Sequence, residues 1–305
     1  MSVLVVGSFV TDLVATTKRA PQGGETVIGT SFNTSYGGKG ANQAIAVKRF
    51  NGKVSMAGAL GKDNYGNEFL NLFKKEGIDT KLVKQVDYST GCSVIVIDEK
   101  GQNRIVMTPG ANLKFDENDL KVVSEYINEN KPNYVIAQFE MSDTVVKSLA
   151  KMCNESKTKL VVNPAPAKEI EDEVLEKLYL LIPNETELGI IVKKELTTDA
   201  QYIEAAKELT NKGVENVIVT LGDRGSLLVN KNEIYFQSAY KVKAIDTVGA
   251  GDTFIGTLVS ALDQGYTIKE AMKFGSVASA IEVTKRGAIA AIPLANDVFE
   301  FLKNK

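Results

Sequence analysis

A run of glycines leading into a carboxylate is the part of this sequence best placed to do chemistry. Residues 246–265 begin Asp-Thr-Val-Gly-Ala-Gly-Asp; Phe254, Leu258, Val259 and Leu262 then recur at helical spacing before Gly265. Gly249, Ala250 and Gly251 therefore open a helix whose first backbone amides have no partner inside it, and such a terminus attracts anions. Asp252 puts a carboxylate inside that anion pocket, which is unfavourable beside phosphate unless the carboxylate takes a proton. A base aimed at a hydroxyl, next to a hole for a moving phosphoryl group, is the arrangement phosphoryl transfer needs. The same residues also read as an ordinary helix start with an acid near its N-terminus.

Other clusters carry compatible chemistry. Gly37-Gly38-Lys39-Gly40-Ala41-Asn42 opens a second helix. It lacks the Ser or Thr after lysine and the upstream glycine of a P-loop. Its glycines let backbone approach a small ligand, with Lys39 and Asn42 as donors; a plain glycine turn is the alternative. Asn184 and Glu187, three apart, suit Mg²⁺ held through water or a helix cap with a capping-box glutamate. Thr220-Leu221-Gly222-Asp223-Arg224-Gly225 is a glycine turn that suits nucleotide contacts or a tight connection. Histidine is absent, so proton transfer falls to Asp, Glu, Lys, Tyr or Cys.

The elements that must hold these residues alternate. Val3–Val6 is a continuous apolar run, the mark of a buried parallel strand. Further strands are expected over 54–59, 134–139, 160–163, 179–182 and 217–221, with helices between them, and a late hairpin over 226–236. Strands alternating with helices predict a doubly wound α/β fold: a mainly parallel sheet covered on both faces. Two β-prone stretches, about 13–36 and 90–108, do not fit that layer and predict a small separate β-sheet within a single domain over 1–305. Ligands of such sheets lie outside the carboxyl ends of the strands. Asp12, Glu140, Asn163, Asn184, Thr220 and Gly222 are expected just there, Asp12 in the loop after the first strand.

The formal net charge of -2, with both signs dispersed, argues against nucleic-acid or membrane-surface partners. Two cysteines, Cys92 and Cys153, read as free thiols. No signal peptide or membrane span is expected, which predicts a cytoplasmic location.

Taken in order, the glycine-rich segment 37–44, Asn163-Pro164-Ala165-Pro166-Ala167, Asn184-Glu185-Thr186-Glu187, residues 220–225 and 246–254 resemble the ribokinase family of sugar kinases over nearly the whole chain. The resemblance implies ATP-dependent phosphorylation of a pentose at its 5-hydroxyl, ribose being favoured, with Mg²⁺ and a K⁺ activator. It implies that Asp252 is the base and that the amides of Gly249, Ala250, Gly251 and Asp252 hold the phosphoryl group. Asp12, Gly38, Lys39, Gly40, Ala41, Asn42 and Glu140 would bind sugar. Asn184, Thr220, Gly222, Asp223, Gly225, Gly251 and Ser276 would meet ATP. Asn184 and Glu187 would support Mg²⁺ through water; Asp246, Val248, Glu282, Lys285, Gly287 and Ala291 match a monovalent-cation loop bound mostly through backbone oxygens. The β-rich pieces would form a lid that pairs two subunits into a homodimer.

Three positions depart from that pattern. Val10 stands where the family's ribose kinases carry asparagine, and the stretch 7–13 is similar to the family's deoxyribose kinases, which makes 2-deoxyribose a rival acceptor; fructose or a nucleoside would keep the fold. Ser276 replaces an asparagine near adenine, and Ala291 a serine near the cation. A sugar-sensing protein without catalysis is the non-enzyme alternative, and the intact Asp252 and its glycines count against it.

Overall fold

The computed structural model describes residues 2–304. In chain order, β1 (Val3–Val6) leads to β2 (Val10–Thr17), β3 (Gly29–Gly37), helix α1 (Lys39–Arg49), β4 (Val54–Gly61), α2 (Asn64–Glu76), β5 (Asp79–Val86), β6 (Gly91–Ile97) and β7 (Asn103–Thr108). There follow α3 (Glu117–Asn130), β8 (Tyr134–Gln138), α4 (Thr144–Ser156), β9 (Lys159–Asn163), α5 (Asp172–Leu175), β10 (Leu180–Leu181), α6 (Glu185–Val192), α7 (Asp199–Asn211) and β11 (Asn216–Thr220). The chain ends with β12 (Gly225–Asn230), β13 (Ile234–Ser238), α8 (Ala250–Asp263), α9 (Ile268–Glu282) and α10 (Ala295–Lys303).

The main sheet has nine strands in the order β13-β12-β11-β10-β9-β8-β1-β4-β5. From β11 to β5 every neighbouring pair is parallel; β12 and β13 add an antiparallel edge. Side chains alternate across a strand, and the two faces build two cores. Leu4, Val6, Val135, Ala137, Leu160 and Val162 pack with α3, α4 and α7. Val3, Val5, Tyr134, Ile136 and Val161 pack with α1, α8, α9 and α10. This is why the central strands read as unbroken apolar runs. Helix α8 is buried from Asp252 to Asp263, as expected of a helix apolar around most of its circumference.

The second sheet has four strands, β3-β2-β6-β7. It is mixed rather than antiparallel throughout: β2 runs parallel to β6, with Asp12 opposite Ser93. Asp12 thus lies in a lid strand, not in a loop after β1. The turn from β1 to β2 takes only three residues, so the acid is carried straight from the carboxyl edge of the main sheet onto the lid. The edge strand β5 was not expected either; it lies beside β4. Ile28, Phe32, Ile105 and Val106 of the lid are exposed, Ile28 at 92%.

Candidate active site

Two helix N-termini meet at the carboxyl edge of the main sheet. Gly256 of α8 faces α1 so closely that a Cβ there would lie 2.5 Å from the Gln43 carbonyl oxygen and from the Ala46 Cβ. That close crossing places Asn42 and Gln43 beside Asp252. Asn42 Nδ2 donates to Asp252 Oδ2 at 2.8 Å, and Gln43 Nε2 donates to Asp252 Oδ1 at 2.8 Å. Asp252 is 7% exposed and belongs to the first turn of α8, whose N-cap is Gly249. A carboxylate fixed through both oxygens still has lone pairs to accept from a hydroxyl.

Gln43 is tied further into the sheet. Its Nε2 also donates to Asn163 Oδ1, and its Oε1 accepts from Gln138 Nε2 at 2.6 Å. Asn163 ends β9 and donates to the Ile182 carbonyl. The network orients the acid from behind; within it the Gln138 Oε1 is buried without a partner among the described residues. Asn42 Oδ1 is buried with no partner among the described residues. A Cβ added to Gly37 would lie 3.8 Å from it and 3.2 Å from Asp12 Oδ2, so the two acceptors border one place.

The glycines of segment 37–40 serve the backbone. A Cβ at Gly40 would meet the Gly7 and Ser8 main chain at 2.5 Å, and one at Gly38 would meet Val10 N at 2.7 Å. What these residues approach is the β1–β2 turn, rather than a small ligand alone. The packing aims the first amide of α1, Lys39 N, at Glu140 Oε2 at 3.1 Å, and Ser8 Oγ donates to the same oxygen. Lys39, Glu140 and Asp12 therefore share one neighbourhood; Val10, two residues before Asp12 on β2, is buried.

The electrostatics follow from burial and from this crowding of acids. Burial alone would lower the Lys39 ammonium, but Asp252, Glu140 and Glu187 around it hold its pKa above the usual lysine value. Burial raises Glu140 although Lys39 and Ser8 oppose the shift. Asp12 is pushed up to about 6, chiefly by burial, against a hydrogen bond from Ser93. Glu187 is raised by burial as well.

A cavity of about 240 Å³ opens over this edge. Lys39, Asp252, Gly249, Gly251 and Thr247 line it together with Asn184, Glu187 and Thr220. A Cβ added to Gly251 would meet nothing within 4 Å, so the first turn of α8 faces open space. Asn184 and Glu187 form the capping box of α6, each side chain bonded to the other's amide at 2.8 and 2.9 Å; the cap and a place in the cavity coexist. Gly222, Asp223 and Gly225 lie in the turn from β11 to β12, outside the cavity lining. Arg224 of that turn pairs with Glu185 and Asp199. Ser276 is buried in α9.

Behind Gly249 lies a different group. Asp246 Oδ2 accepts from Gly287 N at 2.9 Å and its Oδ1 from Val248 N at 3.1 Å. Glu282 is 1% exposed, and its pKa is pushed up to about 9 by burial and by Asp252 and Asp246. Lys285 is exposed and Ala291 buried.

Residues 1–295 match the model of the pfkB family carbohydrate kinases. The chain belongs to that family. It is 36% identical over 301 residues to the ribokinase of Haemophilus influenzae, covering 98% of both chains. It is 32% identical over 304 residues to the deoxyribokinase of Salmonella typhimurium, covering 99% of both. The structure of Arabidopsis thaliana ribokinase complexed with ribose and ATP superposes with a TM-score of 0.92, at 30% identity over 99% of this chain and 98% of that one. For a carbohydrate kinase, the network behind Asp252 is the part that motif reading passed over. Gln43 and Ser8 stand inside segments 37–44 and 7–13, where sequence reading gives them no role, and Gln138 lies in no motif.

Proposed function

We propose that this carbohydrate kinase transfers the terminal phosphoryl group of ATP to the 5-hydroxyl of ribose, giving the 5-phosphate and ADP. The observation that carries the reading is Asp252: a buried carboxylate fixed by Asn42 and Gln43 in the first turn of α8, lining the same cavity as Asn184 and Thr220. The ribokinase relatives favour ribose as the acceptor.

In this reading Asp12, Asn42 and Glu140 accept from sugar hydroxyls, Lys39 donates, and Val10, Gly38, Gly40 and Ala41 shape the floor. Asp252 takes the proton of the attacking hydroxyl as the new O–P bond forms and the bond to the ADP oxygen breaks. The amides at Gly249, Ala250 and Gly251 hold the charge on the moving phosphoryl group; Ala250 N, which donates to the Thr247 carbonyl at 3.3 Å, gives up that long bond to do so. Lys39 adds positive charge beside it. Asn184, Thr220, Gly222, Asp223, Gly225 and Ser276 contact the nucleotide. Glu187, with one oxygen committed to Asn184 N, keeps the other for the water shell of Mg²⁺, which suits an ion that retains its hydration. Bound Mg²⁺ would neutralise phosphate charge. The loop containing Asp246, Val248, Glu282, Lys285, Gly287 and Ala291 would hold a monovalent cation.

One observation favours 2-deoxyribose as a second reading: Val10 is apolar and buried where a hydroxyl would need a partner, and the chain is also similar to a deoxyribokinase. The test is ATP turnover with Mg²⁺ and K⁺ on ribose, 2-deoxyribose, fructose and adenosine. Highest kcat/KM on ribose supports the proposal; highest on 2-deoxyribose makes Val10 the specificity determinant; no turnover on any refutes both. The exposed apolar lid residues support a homodimer formed through that sheet, and a monomer mass in light scattering would count against it. Free Cys92 and Cys153 fit a reducing, cytoplasmic setting; among the described residues no helix is long and apolar enough to cross a membrane.

A further inference from the structure

Glu282 ends α9 with its side chain turned inward. Both carboxyl oxygens are buried, and neither has a hydrogen-bond partner among the described residues. An isolated buried carboxyl is costly, and folded proteins meet that cost with a donor, a basic side chain or a bound cation. The nearest basic residues in sequence, Lys285 and Arg286, are exposed. Oε1 instead points at Gly249: a Cβ there would stand 2.8 Å from it. Asp246, on the loop leading into α8, is close enough for its charge to act on Glu282. Both Asp246 oxygens are held by backbone amides, from Val248 and from Gly287, so the loop and the segment after α9 are clamped around the same spot. The amides of Ile245 and Asp246 both donate to the Val283 carbonyl and complete the clamp.

We infer that the side-chain carboxylate of Glu282 is itself a ligand of a monovalent alkali cation, held between the end of α9 and residues 246–249. The inference rests on the cation-assisted kinase reading above and goes beyond it, since that reading relies on backbone oxygens. Two carboxylates meeting one cation and the positive end of a helix come close to charge balance. Among the described residues no three acidic, cysteine or histidine side chains are grouped so that they could hold a metal ion, so the acid-rich cage of a divalent site is lacking there. A cation at this point would lie beside Gly249, the N-cap of α8. Its charge would add to the field the first amides of α8 present to a phosphoryl group, and it would fix the α8 N-terminus.

The full chain crystallised in rubidium chloride tests this directly through the anomalous signal of Rb⁺. A peak in contact with a Glu282 Oε atom is the expected result. A peak on loop 246–249 that leaves the Glu282 carboxylate untouched overturns the inference and preserves the cation-assisted reading; no peak overturns both. Thermal unfolding gives a second readout that does not depend on activity. Potassium chloride should raise the Tm of the parent chain over tetramethylammonium chloride at equal ionic strength, and Glu282→Gln should lose most of that rise. An equal rise in both proteins would overturn the role of the carboxylate, and if Glu282→Gln does not fold, the crystal decides.

Discussion

Asp12→Asn should make the protein more stable at neutral pH while weakening its hold on sugar. The Asp12 carboxyl is pushed from 3.8 to about 6, mainly by burial. Because its folded pKa lies above its unfolded one, ionisation opposes folding. The group contributes no penalty below the unfolded value, stability falls as pH rises between about 4 and 6, and the full cost is present above that. At about 1.4 kcal/mol per pH unit the shift corresponds to about 3 kcal/mol, and solvent at this half-buried site reduces the net effect to about 1–3 kcal/mol. Asparagine keeps the shape, can still accept from Ser93 and never ionises. Urea denaturation should therefore show Asp12→Asn more stable than the parent at pH 7, with the difference closing toward pH 4. Binding should move the other way, because the ionised carboxyl accepts through both oxygens, whereas the amide or the protonated acid turns one of its two polar atoms into a donor. Ribose affinity of the parent, measured by calorimetry without nucleotide, should fall about tenfold from pH 7 to pH 5, as one pH unit below the pKa implies. Asp12→Asn should bind weakly and show no such pH dependence. A variant less stable than the parent at pH 7, or a parent whose affinity is flat over that range, would refute the reasoning.

The network behind Asp252 and the floor of the sugar site give further tests. Gln43→Met removes one donor to Asp252 and leaves the Gln138 amide without its acceptor. It should cost about 1–3 kcal/mol in denaturation and lower kcat more than it raises the KM for sugar; unchanged kcat would mean that Gln43 does not orient the acid. Val10→Asn should shift the kcat/KM ratio toward ribose over 2-deoxyribose, by up to about 1–3 kcal/mol or roughly tenfold to a hundredfold; an unchanged ratio would show that position 10 does not read that hydroxyl.

Much of this arrangement was legible because burial writes itself into sequence. Val3–Val6, Tyr134–Gln138 and Lys159–Asn163 are central strands whose apolar runs have no other reading, and Gly249 to Asp252 announce a helix start. Strands at the margins left fainter marks. Within β5, Lys81, Lys84 and Gln85 break the apolar pattern, as an edge strand allows. β2, with Thr11, Asp12, Thr16 and Thr17, buries too little to show a clear period, so Asp12 read as a loop residue. Within the site, residues that stand on a motif were visible and those acting through long-range contact were not. Gln43 is far in the chain from Gln138 and Asn163, so their contacts could not be read even though Asn163 stands on a motif, and Glu282 matches the cation loop in sequence while its unpaired burial shows only in the fold. The capping box of Asn184 and Glu187 was open to two readings: the structure shows the cap, and the same two side chains also line the cavity.

The central claim is that Asp252 removes the proton from the sugar hydroxyl as the phosphoryl group leaves ATP. The measurement that tests it most directly is ribose-dependent ADP formation by Asp252→Asn, set beside ribose binding by the same variant. The account predicts that asparagine, which keeps the size and one acceptor but cannot take the proton, leaves the fold intact and ribose affinity near that of the parent. The same variant should lower kcat by about 10²–10⁴-fold, the range expected for loss of a general base. Near-parental turnover by Asp252→Asn would contradict it.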